Sequence, residues 1–297
     1  MTIKPNITED LVQKLIAEQF TQYAHLPITS VKSQGNDNRT FHLGDKMLVR
    51  LPSGEEYVRQ IAKEHKWLTL LAPKLPLPIP ESIAMGKPSN DYPFYWSIYR
   101  WLEGDSANTV ELNDITLETI AIQLAYFLQS LHKFDADIDS APELHNWWRA
   151  AHTSTYDKET RELIKNLRDV IDTRKASSLW QKAISSKWEK KPVWVHGDVA
   201  SGNILLNRGK LCAVIDFGCL GIGDPACDLT IAWTFFKNNS RQAFKNAFNF
   251  DTETWDRARG WALWKAMFTL SGIEDKASLE AIKQLQIINE VLNEYLS

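Results

Sequence analysis

Residues 193–230 read VWVHGDVASGNILLNRGKLCAVIDFGCLGIGDPACDLT, and three side chains in this stretch are of the right kind to act together on a phosphate. Asp198 follows an apolar run, Asn203 comes five residues later, and Asp216 closes a second apolar run. A nucleoside triphosphate arrives with Mg²⁺, a hard cation that takes oxygen ligands in an octahedral shell, many of them phosphate oxygens and water. One carboxylate and one amide oxygen, from Asp216 and Asn203 at the ends of neighbouring strands, are enough protein ligands for such an ion. A second carboxylate, Asp198, can accept a hydrogen bond from a substrate hydroxyl and turn it in line with the γ-phosphate. Gly197 and Gly202 flank the loop and let its backbone come close to a ligand. His196 and Asp198 could instead be two metal ligands of a hydrolase, but no second His/Asp cluster offers further ligands.

The rest of the chain must hold these groups. Thr8, Glu9 and Asp10 open a first helix with Leu11, Leu15 and Ile16 on one side. Short β-prone runs at 28–31, 40–43 and 46–51 are separated by Gly35-Asn36-Asp37-Asn38 and Gly44-Asp45, the residues of tight turns. A helix is expected over 55–71, with Ile61, Leu68 and Leu71 on one face, then an extended Pro-rich segment over 75–80 and strands at 83–85 and 94–101. Residues 1–101 therefore read as a small β-rich lobe. From 102 to 297 the pattern is mostly helical, led by Leu117, Ile120, Ala121, Leu124, Phe127, Leu128 and Leu131. Further helices are expected over 158–185 and from 229 onward, around short strands at 193–196, 204–207 and 211–215.

HGDVASGN followed by IDFG resembles the paired motifs of the aminoglycoside phosphotransferase family, which has a bilobal α+β, protein-kinase-like fold. The resemblance implies that Asp198 is the catalytic base, that Asn203 and Asp216 hold Mg²⁺, that His196 orients the loop, and that Asp224 through Asp228 support it. It extends to the first lobe, where LVRLP (48–52), Lys63-Glu64, Trp67-Leu68 and SIYRWLEG (97–104) are similar to one branch of the family. There the family's β3 Lys is replaced by Arg50, whose guanidinium can still hold a phosphate and a carboxylate. Glu64 lies on the apolar stripe of its helix, so its carboxylate needs a buried partner, and Arg50 is the obvious one. Gly35 marks a loop that would cover the nucleotide phosphates, and Trp101 with Leu102 takes the position of the hinge that bonds the base through backbone. The implied reaction is transfer of the γ-phosphoryl group of ATP or GTP to a hydroxyl of a small molecule, an aminoglycoside-type antibiotic or related compound. A kinase of a small metabolite (homoserine, choline or sugar-like) and a catalytically silent nucleotide-binding module are the competing readings.

Composition narrows the setting. The 297 residues carry a net charge of −3, with no basic excess to grip nucleic acid. No run approaches 18 consecutive apolar residues, and MTIKPNITED has no apolar leader core. Cys212, Cys219 and Cys227 are spaced neither as a disulfide framework nor as a zinc knuckle. The expectation is a cytoplasmic protein, monomer or homodimer, that partners only nucleotide and a small hydroxyl-bearing substrate. Acidic residues at Asp135, Asp137, Asp139 and Glu143 could attract a cation, although a solvated loop is the simpler reading. Trp261 and Trp264, three apart on a helix, are the aromatic pair best placed to line a cleft.

Overall fold

Residues 4–32, 34, 35, 37–135 and 146–296 are described in a computed structural model of the chain. Helix α1 (Glu9–Gln19) starts where the Thr8 side chain accepts from the Leu11 N–H, with Glu9 and Asp10 at its positive end. Its Val12, Leu15 and Ile16 are buried on the sheet that follows. That sheet comprises β1 (Ile28–Ser30), β2 (Asn38–Leu43), β3 (Met47–Pro52), β4 (Ser82–Gly86) and β5 (Trp96–Arg100), all antiparallel, in the order β1-β2-β3-β5-β4. Period-two alternation decides which face each residue of β3 takes. Val49 and Leu51 go into the core beside Phe41, Trp96 and Ile98, so Arg50 between them points to the opposite face. At Gly86 the edge strand crosses the Trp96 ring so closely that a Cβ would lie 2.0 Å from it.

Helix α2 (Val58–Leu71), entered through a tight turn at Glu55–Tyr57, packs on that opposite face. Its outer end reaches the second part of the molecule, where Leu68 and Leu71 join the larger core with Ile120, Leu124 and Leu128, and the Trp67 ring meets Trp194 edge-on at 4.6 Å. The larger core thus crosses residue 101.

The remainder is mostly helical. After a two-residue strand β6 (Asp105–Ser106) come α3 (Asp114–His132), α4 (Asp157–Asn166), α5 (Thr173–Ala183), β7 (Val193–Val195), β8 (Ile204–Asn207), β9 (Lys210–Val214) and β10 (Gly221–Gly223). The chain closes with α6 (Ile231–Thr234), α7 (Asn238–Ala247), α8 (Thr252–Gly272) and α9 (Leu279–Leu296). The helix expected over 158–185 is two helices, because α4 ends at Asn166 and Asp172 caps a new start by accepting from the Lys175 N–H. Strands β6 and β10 are too short for alternation to show, and each forms by pairing with a distant partner, β8 and β7 respectively. Among the described residues no helix is long and apolar enough to cross a membrane. Of the acidic residues noted above, Asp137, Asp139 and Glu143 lie outside the described residues, and Asp135 is exposed and paired with Lys191 at 3.0 Å.

Candidate active site

The loop after β7 is fixed from below. The buried Asp228 carboxylate accepts the His196 N–H at 2.8 Å and the Gly197 N–H at 2.7 Å. Burial pushes this carboxyl up to about 6, even with those donors and the nearby His196 ring favouring the charge. The His196 ring spans two loops. Its Nε2 donates to the Ile215 carbonyl at 2.9 Å while Nδ1 accepts the Asp198 N–H at 3.2 Å, and the ring rests on Phe217. One neutral tautomer satisfies both bonds. Gly197 is required here. Its φ is +84° and a Cβ would lie 2.2 Å from the Cys219 carbonyl oxygen, which both conformation and space deny to any other residue.

Asp198 and Asn203 come together across this loop. The Asn203 Nδ2 donates to the Asp198 carbonyl at 2.9 Å and to its Oδ2 at 3.3 Å. The other carboxylate oxygen of Asp198 is held by Lys265 Nζ of α8 at 2.5 Å. Burial would raise the Asp198 carboxyl, but the Lys265 ammonium outweighs it and, with help from Arg149 and His196, holds the group at about 2.

Asp216 adopts the left-handed conformation, φ +65° and ψ +67°, where the chain turns out of β9. Such a backbone costs a non-Gly residue about 1–3 kcal/mol and aims the side chain away from the strand. Its Oδ1 meets Arg50 Nη2 at 2.5 Å, and Arg50 Nη1 meets Glu64 Oε1 at 3.3 Å. The Glu64 side chain is only 3% exposed, and its second oxygen accepts from the Tyr99 hydroxyl. Burial works against the Arg50 charge, but the two carboxylates more than offset it and secure the guanidinium. Lys63, which the helix periodicity turns away from Glu64, donates to the carbonyls of Gly218 (2.7 Å) and Leu220 (2.9 Å) and clamps the loop that carries Asp216. Burial lowers that ammonium to about 8.

The remaining predicted positions are more peripheral. The Trp101 N–H donates to the Lys46 carbonyl at 2.8 Å, and its ring lies 4.2 Å from that of His42, so its N–H is committed to the sheet. The Gly35 carbonyl accepts from Arg39 Nη1 at 2.6 Å, while neighbouring Asn36 lies outside the described residues. Asp224 does not face the cleft. It is buried, caps Ala226, and is paired with the equally buried Arg257 at 2.6 Å.

A family model described as the phosphotransferase enzyme family matches residues 30–261, which is most of the chain and contains Arg50, Glu64, Asp198, Asn203 and Asp216. The chain belongs to this family. A comparison with curated protein sequences finds no match. Among solved structures, the GDP complex of a variant of aminoglycoside 2′-phosphotransferase-IIIa aligns over 98% of this chain and 99% of its own, with a TM-score of 0.75 at 19% identity. The GDP and kanamycin complex of that enzyme type covers 95% of this chain and 98% of its own, with a TM-score of 0.70 at 18% identity. Macrolide 2′-phosphotransferase MphH from Brachybacterium faecium covers 94% and 98%, with a TM-score of 0.62 at 18% identity. At such identities the likeness is one of fold.

Three residues of this phosphotransferase at the site escape sequence reading. Tyr99 looks like one more apolar strand residue, yet it supplies the second partner of Glu64. Lys265 follows the noted Trp264 directly, and its place on the same inward face of α8 was the available signal. Arg149 gave none. It sits in a turn where Trp147, Trp148 and Ala150 all have positive φ (51°, 55° and 65°), a conformation no sequence rule assigns to such residues. The turn is held by the Tyr156 hydroxyl on the Trp147 carbonyl (2.7 Å) and the Asp224 N–H on the Ala150 carbonyl (2.9 Å). Trp261 and Trp264 do line a cavity beside Asp198, although each is largely buried.

Proposed function

We propose that this phosphotransferase moves the γ-phosphoryl group of ATP or GTP to a hydroxyl of a small molecule, with the nucleotide bound between the sheet-rich first part (1–101) and the helical remainder (102–297). The observation that carries the reading is the convergence of three segments: the loop on which Asn203 donates to Asp198, the Asp216 turn tied to that loop by the Ile215 N–H on the Asn203 carbonyl (2.8 Å), and β3, whose Arg50 pairs with Asp216. Asp198, kept ionised, accepts the hydrogen bond of the acceptor hydroxyl and orients its oxygen. That oxygen bonds to the γ-phosphorus and the bond to the β–γ bridging oxygen breaks. The nucleoside diphosphate leaves with that electron pair, and the hydroxyl proton passes to Asp198. Arg50, anchored by Glu64, supplies positive charge to the phosphates. Lys265 lies beside the same carboxylate and can follow charge onto the transferring group.

Mg²⁺ fits the residues present. Asn203 has its amide nitrogen engaged by Asp198, which leaves its oxygen as the available donor, and the Asp216 carboxylate is 43% exposed with one oxygen on Arg50. Two hard oxygen donors suit an ion whose remaining ligands are phosphate and water. When bound, the ion would neutralise charge on the β- and γ-phosphates.

His196, Asp228 and Gly197 hold the loop in register, and Asp224 with Arg257 braces the turn behind it. Leu102 and Gly35 are assigned to the base and the phosphates by position, with Trp101 as the residue that brings the chain to the hinge. The test is a thermal-shift titration with ATP or GTP and Mg²⁺, followed by acceptor-stimulated diphosphate release. Nucleotide binding with no turnover for any acceptor would support a silent binding module instead.

A further inference from the structure

Two cavities meet at Lys265. The smaller, about 10 Å³, lies against Asp198 and is lined by Arg149, Gly197, Thr230, Trp261, Trp264 and Lys265. It is close to the room one water oxygen needs. The larger, about 120 Å³, opens beside the loop between Asp198 and Asn203, lined by Ala200, Ser201, Thr234, Thr269, Lys283 and Gln284 among others. Among the described residues Asp198 is the only carboxylate in either lining, and Lys265 already neutralises it.

Arg149 is different. No described carboxylate lies within ion-pair distance of its guanidinium, and its Nε is buried without a hydrogen-bond partner. It is packed 5.0 Å from the Trp264 ring centre and 5.5 Å from that of Trp261. Tyr156 stacks on Trp264 at 4.1 Å, and the Glu159 carboxylate accepts the Trp264 indole N–H at 2.6 Å and so orients this shelf. The positive-φ turn described above holds the backbone on either side of Arg149. A rigid guanidinium on an aromatic shelf, unpaired among the described residues and beside the reacting carboxylate, is built to receive an anion. Lys283 adds a second cation at the wider cavity, with no carboxylate in ion-pair reach among the described residues.

We propose that the acceptor is an anion: a small hydroxyl-bearing carboxylate or phosphate ester whose acidic group pairs with Arg149 while its hydroxyl meets Asp198. The assignment rests on the phosphotransfer reading and narrows its acceptor. A polycationic amino sugar would bring like charges against Arg149, Lys265 and Lys283. Within the two metabolite and antibiotic readings, the lining favours the metabolite.

The experiment uses the full chain with nucleotide and Mg²⁺ and matched acceptors: glucuronate against glucuronamide, glucose 6-phosphate against glucose, 3-phenyllactate against its amide, and kanamycin as the polycation. Diphosphate release is read together with isothermal titration of each acceptor, which reports binding whether or not turnover occurs. Anionic members are expected to bind or be phosphorylated in preference to their neutral partners and to kanamycin, and the carboxylate and phosphate arms show which acid is preferred. Arg149→Gln is expected to raise KM for the anionic acceptor about 30-fold or more, while the nucleotide KM stays close to that of the wild type. Arg149→Lys, which keeps the charge, should restore part of the loss, and equal Tm values guard against misfolding. Loss of nucleotide binding in the wild-type chain would sink the phosphotransfer reading itself. Intact nucleotide binding with preference for neutral or polycationic acceptors, or with no response to any anion at millimolar concentration, would overturn the anionic assignment alone.

Discussion

Arg50 pairs with Asp216 and Arg149 lines the cavity at Asp198, and the molecule treats their charges in opposite ways. Arg50 lies between two carboxylates, Glu64 at 3.3 Å and Asp216 at 2.5 Å. Arg149 lies on tryptophan rings with no described carboxylate in ion-pair reach. The paired guanidinium belongs to the structure whatever its part in the proposed reaction, since it neutralises a buried Glu64 that could not stand alone. The unpaired one adds nothing comparable to the fold and is left for a ligand. Arg149 is only half-buried, and the ring faces partly replace water around its buried Nε.

That contrast can be broken or sharpened by substitution. The largest effect is expected where both sides meet. Asp198→Ala or Asp216→Ala should lower kcat by about 10³–10⁴-fold in a coupled diphosphate-release assay, and near-normal turnover by either variant would refute the shared reacting centre. Next comes stability. Arg50→Met strands Glu64 and should cost about 3–5 kcal/mol in urea unfolding, whereas Arg149→Met should cost no more than about 1–2 kcal/mol from lost ring contact. Equal losses for the two would erase the distinction.

A smaller effect is expected from Lys265→Met, and it depends on pH. The folded Asp198 carboxyl titrates at about 2, below its unfolded value of about 3.9. Its contribution to stability is therefore complete above the unfolded value and is lost as pH falls through about 2. Removing the ammonium leaves burial to raise the group. The gap in unfolding free energy between wild type and variant should be widest above about pH 4 and close in stronger acid, while the acid limb of kcat/KM moves upward. A gap independent of pH would mean that Lys265 acts by packing. The smallest effect belongs to an exposed pair. Lys14→Ala breaks the contact between side chains that are 53% and 40% exposed, and should leave the urea unfolding midpoint essentially unchanged.

The two arginines also differ in how far the sequence exposes them. Arg50 stands in an alternating strand and Glu64 on a periodic helix, so local pattern turns each inward and the need to neutralise a buried carboxylate joins them. The same holds for Asp198, Asn203 and Asp216, whose spacing around two short strands was legible without coordinates. The short strands β6 and β10 were not, because two or three residues carry no period and each exists only through a remote partner. The helix reading over 158–185 missed the break at 167–172, where a capping aspartate outweighed continuous helical propensity.

The sequence by itself determined the alternation, the periodic helix faces and the run from His196 to Asp228, since each is a local property of neighbouring residues. Only the tertiary structure decided that Lys265 reaches Asp198 across 67 residues and that Lys63 clamps Gly218 and Leu220 across more than 150. It alone decided that Arg149 lies on Trp261 and Trp264 with no described carboxylate in ion-pair reach. The physical reason is that charge neutralisation and desolvation depend on distance in space, and a side chain's partners are not chosen until the cores have closed around it.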